Sequence, residues 1–354
     1  MFRSFRFPLL ALIGLLLGLH SSLLAGPPPR YTIEGQEKPV ALLTTRKATY
    51  LVTESSVFQL ERKQFVRRYR SAAPIRCAVA LADSGLWLGT TQGVLRLTAS
   101  RQEARPLALP GVAGPASITA LFQDATGSVW IGAAGYGMLR YAAGTFTNEL
   151  NVPTVNAGIA TTDSSVWVAT NIGLYRWQHR TWTRYNEEGV ANHEIPDNIV
   201  EKLLLDNTGS LWVLMSQGIS VFEVGPHPAA AEAHEHLPTV TFVGQPGNEV
   251  YSVAYLPGQG RLFTTALGLL LLPNEAAEPF GSVGQTTDKV APQQLLVKLL
   301  PPTATAPQLL QFDPQGRAWL LSAGEVTVME AKAFRRFITA GWRGAITRPA
   351  YSQR

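Results

Sequence analysis

At 354 residues, 46% of them hydrophobic and 16% charged, the chain has the composition of one large or two small folded domains, which excludes a disordered or fibrous class. The formal net charge of +5 is weak, and the basic residues are scattered apart from 61–70 (ERKQFVRRYR) and 334–336 (FRR), so no nucleic-acid partner is expected. Cys77 is the only cysteine; it rules out an intramolecular disulfide, and its apolar surroundings mark a small core residue.

Residues 1–25 carry Arg3 and Arg6, then an apolar run from Phe7 through Leu19, then small residues up to Ala25, the pattern of a secretory signal. Cleavage is expected after Ala25. An uncleaved anchor needs a similar stretch, but this apolar core is short for a span and Pro27, Pro28 and Pro29 follow it. After that point the run at 295–300 (LLVKLL) is far too short to cross a membrane, and it contains Lys298. The expected address is periplasmic or secreted, with no membrane span after cleavage and a monomeric state.

From residue 39 a pattern repeats: an apolar strand, an Asp/Gly turn, a short strand with an aromatic, a Gly reversal, and a third strand. It is plainest at 118–150 and at 195–222, where Asp206, Asn207, Thr208 and Gly209 make the turn, Trp212 the aromatic and Gly218 the reversal. The aromatic positions are Tyr50, Trp87, Trp130, Trp167, Trp212, Phe263 and Trp319, spaced 37 to 56 residues apart. Short antiparallel strands of this kind cannot bury both faces alone, so copies must stack on either side. The spacing suits four-stranded blades, and seven units fit one ring: an all-β, single seven-bladed β-propeller of four-stranded antiparallel blades over 39–340.

In chain order, 26–38 is a lead-in, with 31–34 either closing the ring on the last blade or merely leading in. Blade 1 runs through 40–44, 50–53 and 57–60 to the outer strand 65–70. Blade 2 has 77–81, 86–90 and 93–97. Blade 3 occupies 118–150. Blade 4 carries Asp163, Trp167 and Gly173, with 182–185 outermost. Blade 5 places its outer strand at 239–243, after a long segment. Blade 6 has lost the Asp and Trp, and either 278–283 or 295–300 is its outer strand. Blade 7 carries Asp313, Gly316 and Trp319, takes 334–338 as its fourth strand, and precedes a basic tail over 341–354. Each buried aromatic hides about 150–250 Å², or roughly 4–6 kcal/mol gross, so blades 1 and 6, with Tyr50 and Phe263, are expected to be softer.

The phrase I-P-D-N-I at 195–199, then Asp206-Asn-Thr-Gly-Ser-Leu-Trp212, then Gly218, resembles the two-component regulator propeller repeat. The resemblance covers blades 2 to 5 and 7 by motif, and blades 1 and 6 by spacing. It implies the sensor-type propeller found outside the cytoplasm in hybrid histidine kinases and in free-standing exported proteins. With no membrane helix or kinase following, it implies a soluble binding component whose kinase is on another chain.

Asp83, Asp124, Asp163, Asp206 and Asp313 occupy the same turn of different blades, so they cannot converge on one ion and are read as turn formers. His234 and His236 flank Glu235 in a connection and are read as a solvated loop rather than a metal site. No nucleophile elbow, phosphate loop or cysteine-based metal spacing occurs, so no catalytic residue, metal or cofactor is assigned. The binding residues are expected in the loops after the Trp strands, at Gln92, Tyr136, Asn171, Gln217 and Ser322, and in the inter-blade connections, at Asn156, Asn192, His193 and Asn198. Amides with an aromatic suit a polar small molecule, a glycan or a peptide. The alternatives are an enzyme, a metal-dependent lyase or hydrolase similar to the streptogramin-inactivating propellers with His193 the best-placed base, and a scaffold docking another envelope protein through edges such as 65–70.

Overall fold

The computed structural model describes residues 28–346 apart from 46–47, 82–84, 98–102, 190–193, 216–217, 223–234, 239–248, 267, 274–296, 300–305 and 314. The signal segment, Asp83 and His234 therefore lie outside the described residues. The described strands form seven four-stranded antiparallel sheets. In the first six, chain order is also spatial order, as in blade 3: Ile118–Gln123, Val129–Ala133, Gly137–Ala142 and Thr145–Leu150. The first strand of each sheet touches the first strands of both neighbours, and the cycle closes between Leu309–Phe312 and Pro39–Thr44. A closed ring of seven blades follows, with the first strands innermost.

Closure is made by the chain start. Arg30–Thr32 pairs with Glu325–Met329 as the outermost strand of blade 7, so the expected lead-in is the closing strand. The expected fourth strand at 334–338 is instead part of a helix, Ala331–Ile346. Its outer-strand place is already taken by Arg30–Thr32, and Phe334, Phe337 and Ile338 recur at the helical spacing of three and four, turning one apolar face inward. Elsewhere the outer strand of blade 6 is Val297–Leu299, the second of the two options, and that of blade 2 is Ala104–Leu107. In blade 5 it is Glu235–Pro238, which puts Glu235 and His236 on a strand rather than in a loop; 239–243 lies outside the described residues.

The aromatic of each blade is the fourth residue from the end of the second strand, as Trp167 is in Val166–Thr170. There it faces the next blade: Trp167 packs with Val200, Val213 and Phe222 of blade 5, and Trp319 with Leu42, Leu51 and Phe58 of blade 1. Blade 6 departs from the expected register. In Gly260–Thr265 the equivalent residue is Leu262, not Phe263. Phe263 points the other way, onto Trp212 of blade 5, with ring centroids 5.5 Å apart. A slip of one residue changes the face of every side chain on a strand. Leu262 is smaller than an indole, and the seam it faces is completed by Phe334 and Ile338 of the helix, both buried with Leu310 and Leu320 of blade 7.

Asp124, Asp206 and Asp313 each clamp the Trp of their own blade. Asp124 accepts from Thr126 N (2.8 Å), Ser128 N (3.0 Å) and the indole Nε1 of Trp130 (2.7 Å). Asp206 and Asp313 repeat this on Trp212 and Trp319. In blade 4 the turn has the same length, but Thr161 stands where the other blades have the clamping Asp; Asp163, two residues further on, binds Arg176 at 2.8 Å, and Trp167 Nε1 has no partner among the described residues. Cys77 is only partly buried by its accessible surface, packed against the margin of the blade 2–3 core, and the protein around it pushes the pKa of its thiol up to about 12.

Candidate functional site

Two kinds of backbone share one end of the ring: the reversals after the Trp-position strands, and the connections from each outer strand to the next innermost strand. They are stitched together blade by blade, with Glu54 N donating to Lys38 O (3.0 Å), Thr91 N to Pro74 O (3.1 Å), Ala134 N to Ser117 O (2.9 Å) and Ala266 N to Glu249 O (2.9 Å). In blade 4 the side chain of Thr154 takes this part, accepting from Asn171 N at 3.2 Å.

Of the expected binding residues, three come together at the junction of blades 4 and 5. Asn156 Nδ2 donates to Asn171 Oδ1 (2.7 Å) and to Val200 O (2.8 Å). Asn198 O accepts from Gly173 N (2.7 Å), and its side chain exchanges hydrogen bonds with Glu187, accepting from the backbone N at 3.0 Å and donating to Oε2 at 3.3 Å. Gly173 permits this close approach: its φ is +122°, and a Cβ there would lie 2.4 Å from Tyr185 O.

The rest are dispersed. Gln92 is exposed on its own reversal, its backbone N held by Thr90 Oγ1 at 3.0 Å. Tyr136 packs at the blade 2–3 seam and donates its hydroxyl to Ala113 O (3.0 Å). Ser322 is fully buried at the end of its strand. Asn192, His193 and Gln217 lie outside the described residues.

Neighbouring residues extend the cluster. Ile172 and Ile199, 38% and 45% accessible, are the exposed large hydrophobics among the described residues, and each adjoins one of the clustered asparagines. Asp197 is 6% accessible; Oδ1 accepts from Ile199 N at 2.9 Å, while Oδ2 has no partner among the described residues. Two exposed apolar side chains beside amides can hold a ligand with both flat apolar and hydrogen-bonding surface.

A second feature was not expected from the sequence. In five blades the innermost strand carries one extra residue at the same height, opposite the end of the Trp-position strand: Val40, Arg76, Thr119, Glu201 and Tyr251. Asn156 and Gln308 hold the same place in blades 4 and 7, each just before its strand and donating its backbone N to the Trp-position strand, at Ala169 O (2.8 Å) and Leu321 O (2.7 Å). In every blade this residue follows Pro39, Ile75, Ile118, Val155, Val200, Val250 or Pro307, so aligning the repeats on that residue could have found it. The flanking residues face the two neighbouring blades: Ile118 joins the blade 2–3 core and Ala120 the blade 3–4 core. The extra residue is left at the sheet edge that borders the central channel. Arg76 and Glu201 are exposed even though neighbouring blades cover both faces of an innermost strand.

Beside this ring Lys202 Nζ donates to Val250 O (2.7 Å) and pairs with Glu249 at 3.5 Å. Burial lowers its pKa more than Glu249 raises it, and burial with the Glu249 charge raises that of Tyr251. Among the described residues no group of three or more His, Cys, Asp or Glu could hold a metal ion, and no helix is long and apolar enough to cross a membrane.

No protein family matches the chain, and no curated protein does. Solved structures do. The extracellular domain of a hybrid two-component system from B. thetaiotaomicron aligns at 17% identity over 83% of this chain and 40% of that one, with a TM-score of 0.56. Streptogramin B lyase aligns at 12% identity over 85% of this chain and 96% of its own, also at 0.56. PorZ, a surface component of the type-IX secretion system of Porphyromonas gingivalis, aligns at 14% identity over 87% and 48%, at 0.54. At these identities the likeness is one of fold, and it is the sensor-domain fold that the repeat resembles. The chain spans 40% of the length of that sensor domain.

Proposed function

We propose that the chain is an exported, non-enzymatic binding module that captures a polar ligand, a peptide or a glycan, on the blade 4–5 end of the ring and serves as the sensing component of a signalling system whose kinase is on another chain. The carrying observation is the convergence of Asn156, Asn171 and Asn198 from three separate segments, beside the exposed Ile172 and Ile199. Isolated loop asparagines satisfy their own turns; these three bridge two blades and leave apolar surface next to them. The sensor fold supports the signalling part, and residues 1–25 support export.

The test is a thermal-shift survey of peptide and glycan panels on the wild type and on the double variant Asn171→Ala/Ile199→Ser. A ligand at a hundred times its Kd should stabilise the wild type by about 2.7 kcal/mol. The variant should lose that stabilisation while its own unliganded stability stays within about 1 kcal/mol, since Asn171 and Ile199 are exposed. Equal stabilisation of the variant would remove the site. Magnesium-dependent turnover abolished by His193→Ala would make the chain an enzyme instead. A partner protein that co-purifies through 64–70, with no panel ligand bound, would make it a scaffold.

A further inference from the structure

The helix Ala331–Ile346 opens the most basic part of the chain. Residues 331–354 contain six Lys or Arg and no Asp or Glu, while the whole chain carries a formal net charge of +5, so everything before residue 331 is slightly acidic on balance. Phe334 and Ile338 are buried against blades 6 and 7. Lys332, Arg335 and Arg336 stay on the outer side of the helix, all three exposed and in no ion pair among the described residues. Glu330 precedes the helix, but at the i, i+4 spacing it shares a row with Phe334 and not with the cations.

Residues three and four apart on a helix are neighbours, with Cβ atoms about 5–6 Å apart, so Lys332 stands beside both Arg335 and Arg336. Like charges at that spacing weaken a helix, and cations near its start oppose the helix dipole, which favours anions there. No acidic residue occupies the first turn. Helix stability alone therefore disfavours this arrangement, and a bound anion would reverse each of these effects. A cavity of about 850 Å³ lies along the same face, lined by Ala331, Lys332, Arg335, Arg336, Thr339 and Ala340, a volume suited to a small molecule.

The cavity is at the opposite end of the ring from the blade 4–5 cluster. The third strand of blade 7, Glu325–Met329, runs away from the reversal end, and the helix begins beside the blade 7 turn, where a Cβ on Gly316 would lie 3.9 Å from that of Ala331. Gln259 of the blade 6 turn holds the next part, its Nε2 donating to Thr339 Oγ1 at 2.5 Å. The three cations thus stand on a helix fixed to two blades. Two guanidiniums and an ammonium at this spacing suit a group that packs several negative charges into a few ångströms. A guanidinium forks two parallel hydrogen bonds onto a phosphate, and the ammonium adds a point charge. A lone carboxylate would satisfy one cation of the three. Nucleic acid draws its affinity from many phosphate contacts along a track, whereas these cations span about 6 Å of helix axis.

We propose that this cavity binds a phosphate-rich group, a diphosphate or two adjacent phosphomonoesters, carried by a soluble molecule or by a lipid headgroup. The site is separate from the blade 4–5 face and does not depend on it.

The experiment is isothermal titration calorimetry of the full chain with pyrophosphate, with succinate and with single-stranded oligonucleotides of increasing length, followed by co-sedimentation with vesicles of phosphatidylcholine and phosphatidic acid. Pyrophosphate should bind saturably at one site per chain and at least tenfold more tightly than succinate. Arg335→Gln/Arg336→Gln should weaken it at least tenfold without lowering the unliganded melting temperature, since relieving like charges does not cost the helix stability. Arg62→Gln/Lys63→Gln, which removes two exposed cations from a turn of blade 1, should leave it unchanged. Vesicle binding that pyrophosphate displaces would assign the group to a lipid headgroup, and pyrophosphate binding without vesicle binding to a soluble phosphate. The proposal is overturned by absence of saturable pyrophosphate binding, by equal loss in both double variants, by succinate binding as tightly, or by oligonucleotide affinity that climbs with length beyond that for pyrophosphate.

Discussion

Phe334→Ala tests whether the C-terminal helix replaces the missing indole of blade 6. Phe334 is 2% accessible and lies with Ile338 among Leu262, Leu310 and Leu320, on the seam that a Trp fills after most other blades. Removing a buried phenylalanine ring costs about 3–5 kcal/mol once the residual cavity is included. For a domain of this size that is a fall in Tm of roughly 6–20 °C, measured by calorimetry alongside urea unfolding. Phe337→Ala is the internal control: Phe337 is only half-buried, so it should cost less than half as much. In the double variant Leu262→Trp/Phe334→Ala an indole enters the vacated space, and part of the loss should be recovered. Equal effects of Phe334→Ala and Phe337→Ala, or a chain cut after Glu330 that melts with the wild type, would show that the helix does not fill the seam.

Trp130→Ala should lower Tm more than Tyr50→Ala, because Trp130 is fully buried and its indole N–H is bound by Asp124, whereas Tyr50 is 6% accessible; the reverse order would discredit the blade register. Acid sensitivity should trace in part to Asp163. Burial pushes this carboxyl up, but Thr161, the backbone and hydroxyl of Ser165, and the charge of Arg176 together outweigh it and hold the pKa below the ordinary value. Its stabilisation is therefore complete above the unfolded value of about 3.9 and is lost as pH falls through the lower folded value. Asp163→Asn should flatten the decline of stability below about pH 4 in urea titrations at stepped pH; an unchanged profile would place that decline elsewhere. Gly173→Ala should weaken ligand capture and lower Tm together, since the new Cβ would press on Tyr185 O and disturb the bond to Asn198; a variant that melts and binds like the wild type would show that the glycine is dispensable.

The ring and most of its blades are legible in the sequence because a polar Asp or Gly turn and a Trp recur together, and in blades 3, 5 and 7 the Asp that shapes the turn also holds the Trp. Legibility fails where that pairing of turn and Trp is lost. In blade 6 the run 261–272 (RLFTTALGLLLL) is apolar on nearly every side, so no alternation distinguishes Leu262 from Phe263, and the larger aromatic is the natural but wrong choice. At 334–338 two aromatics and an isoleucine suit a strand by composition, and only the three-and-four spacing, together with a closing strand from the other end of the chain, makes them a helix. The binding face is half legible. Asn156, Asn171 and Asn198 stand out as loop amides, but nothing local shows that they meet, and Ser322 looks like a loop residue although its hydroxyl ends a buried strand. The channel ring is hidden because a one-residue bulge breaks the period of two by which strand faces are read.

Hydrogen exchange with and without the panel ligand of highest affinity tests the binding face most directly, because it reports protection segment by segment without any substitution. Slowed exchange should be confined to the blade 4–5 reversal and connection, around Thr170–Leu174 and Ile195–Lys202. Protection at the Asp turns on the opposite end of the ring, or along the outer edge Gln64–Arg70, would contradict the assignment of this face as the site of capture.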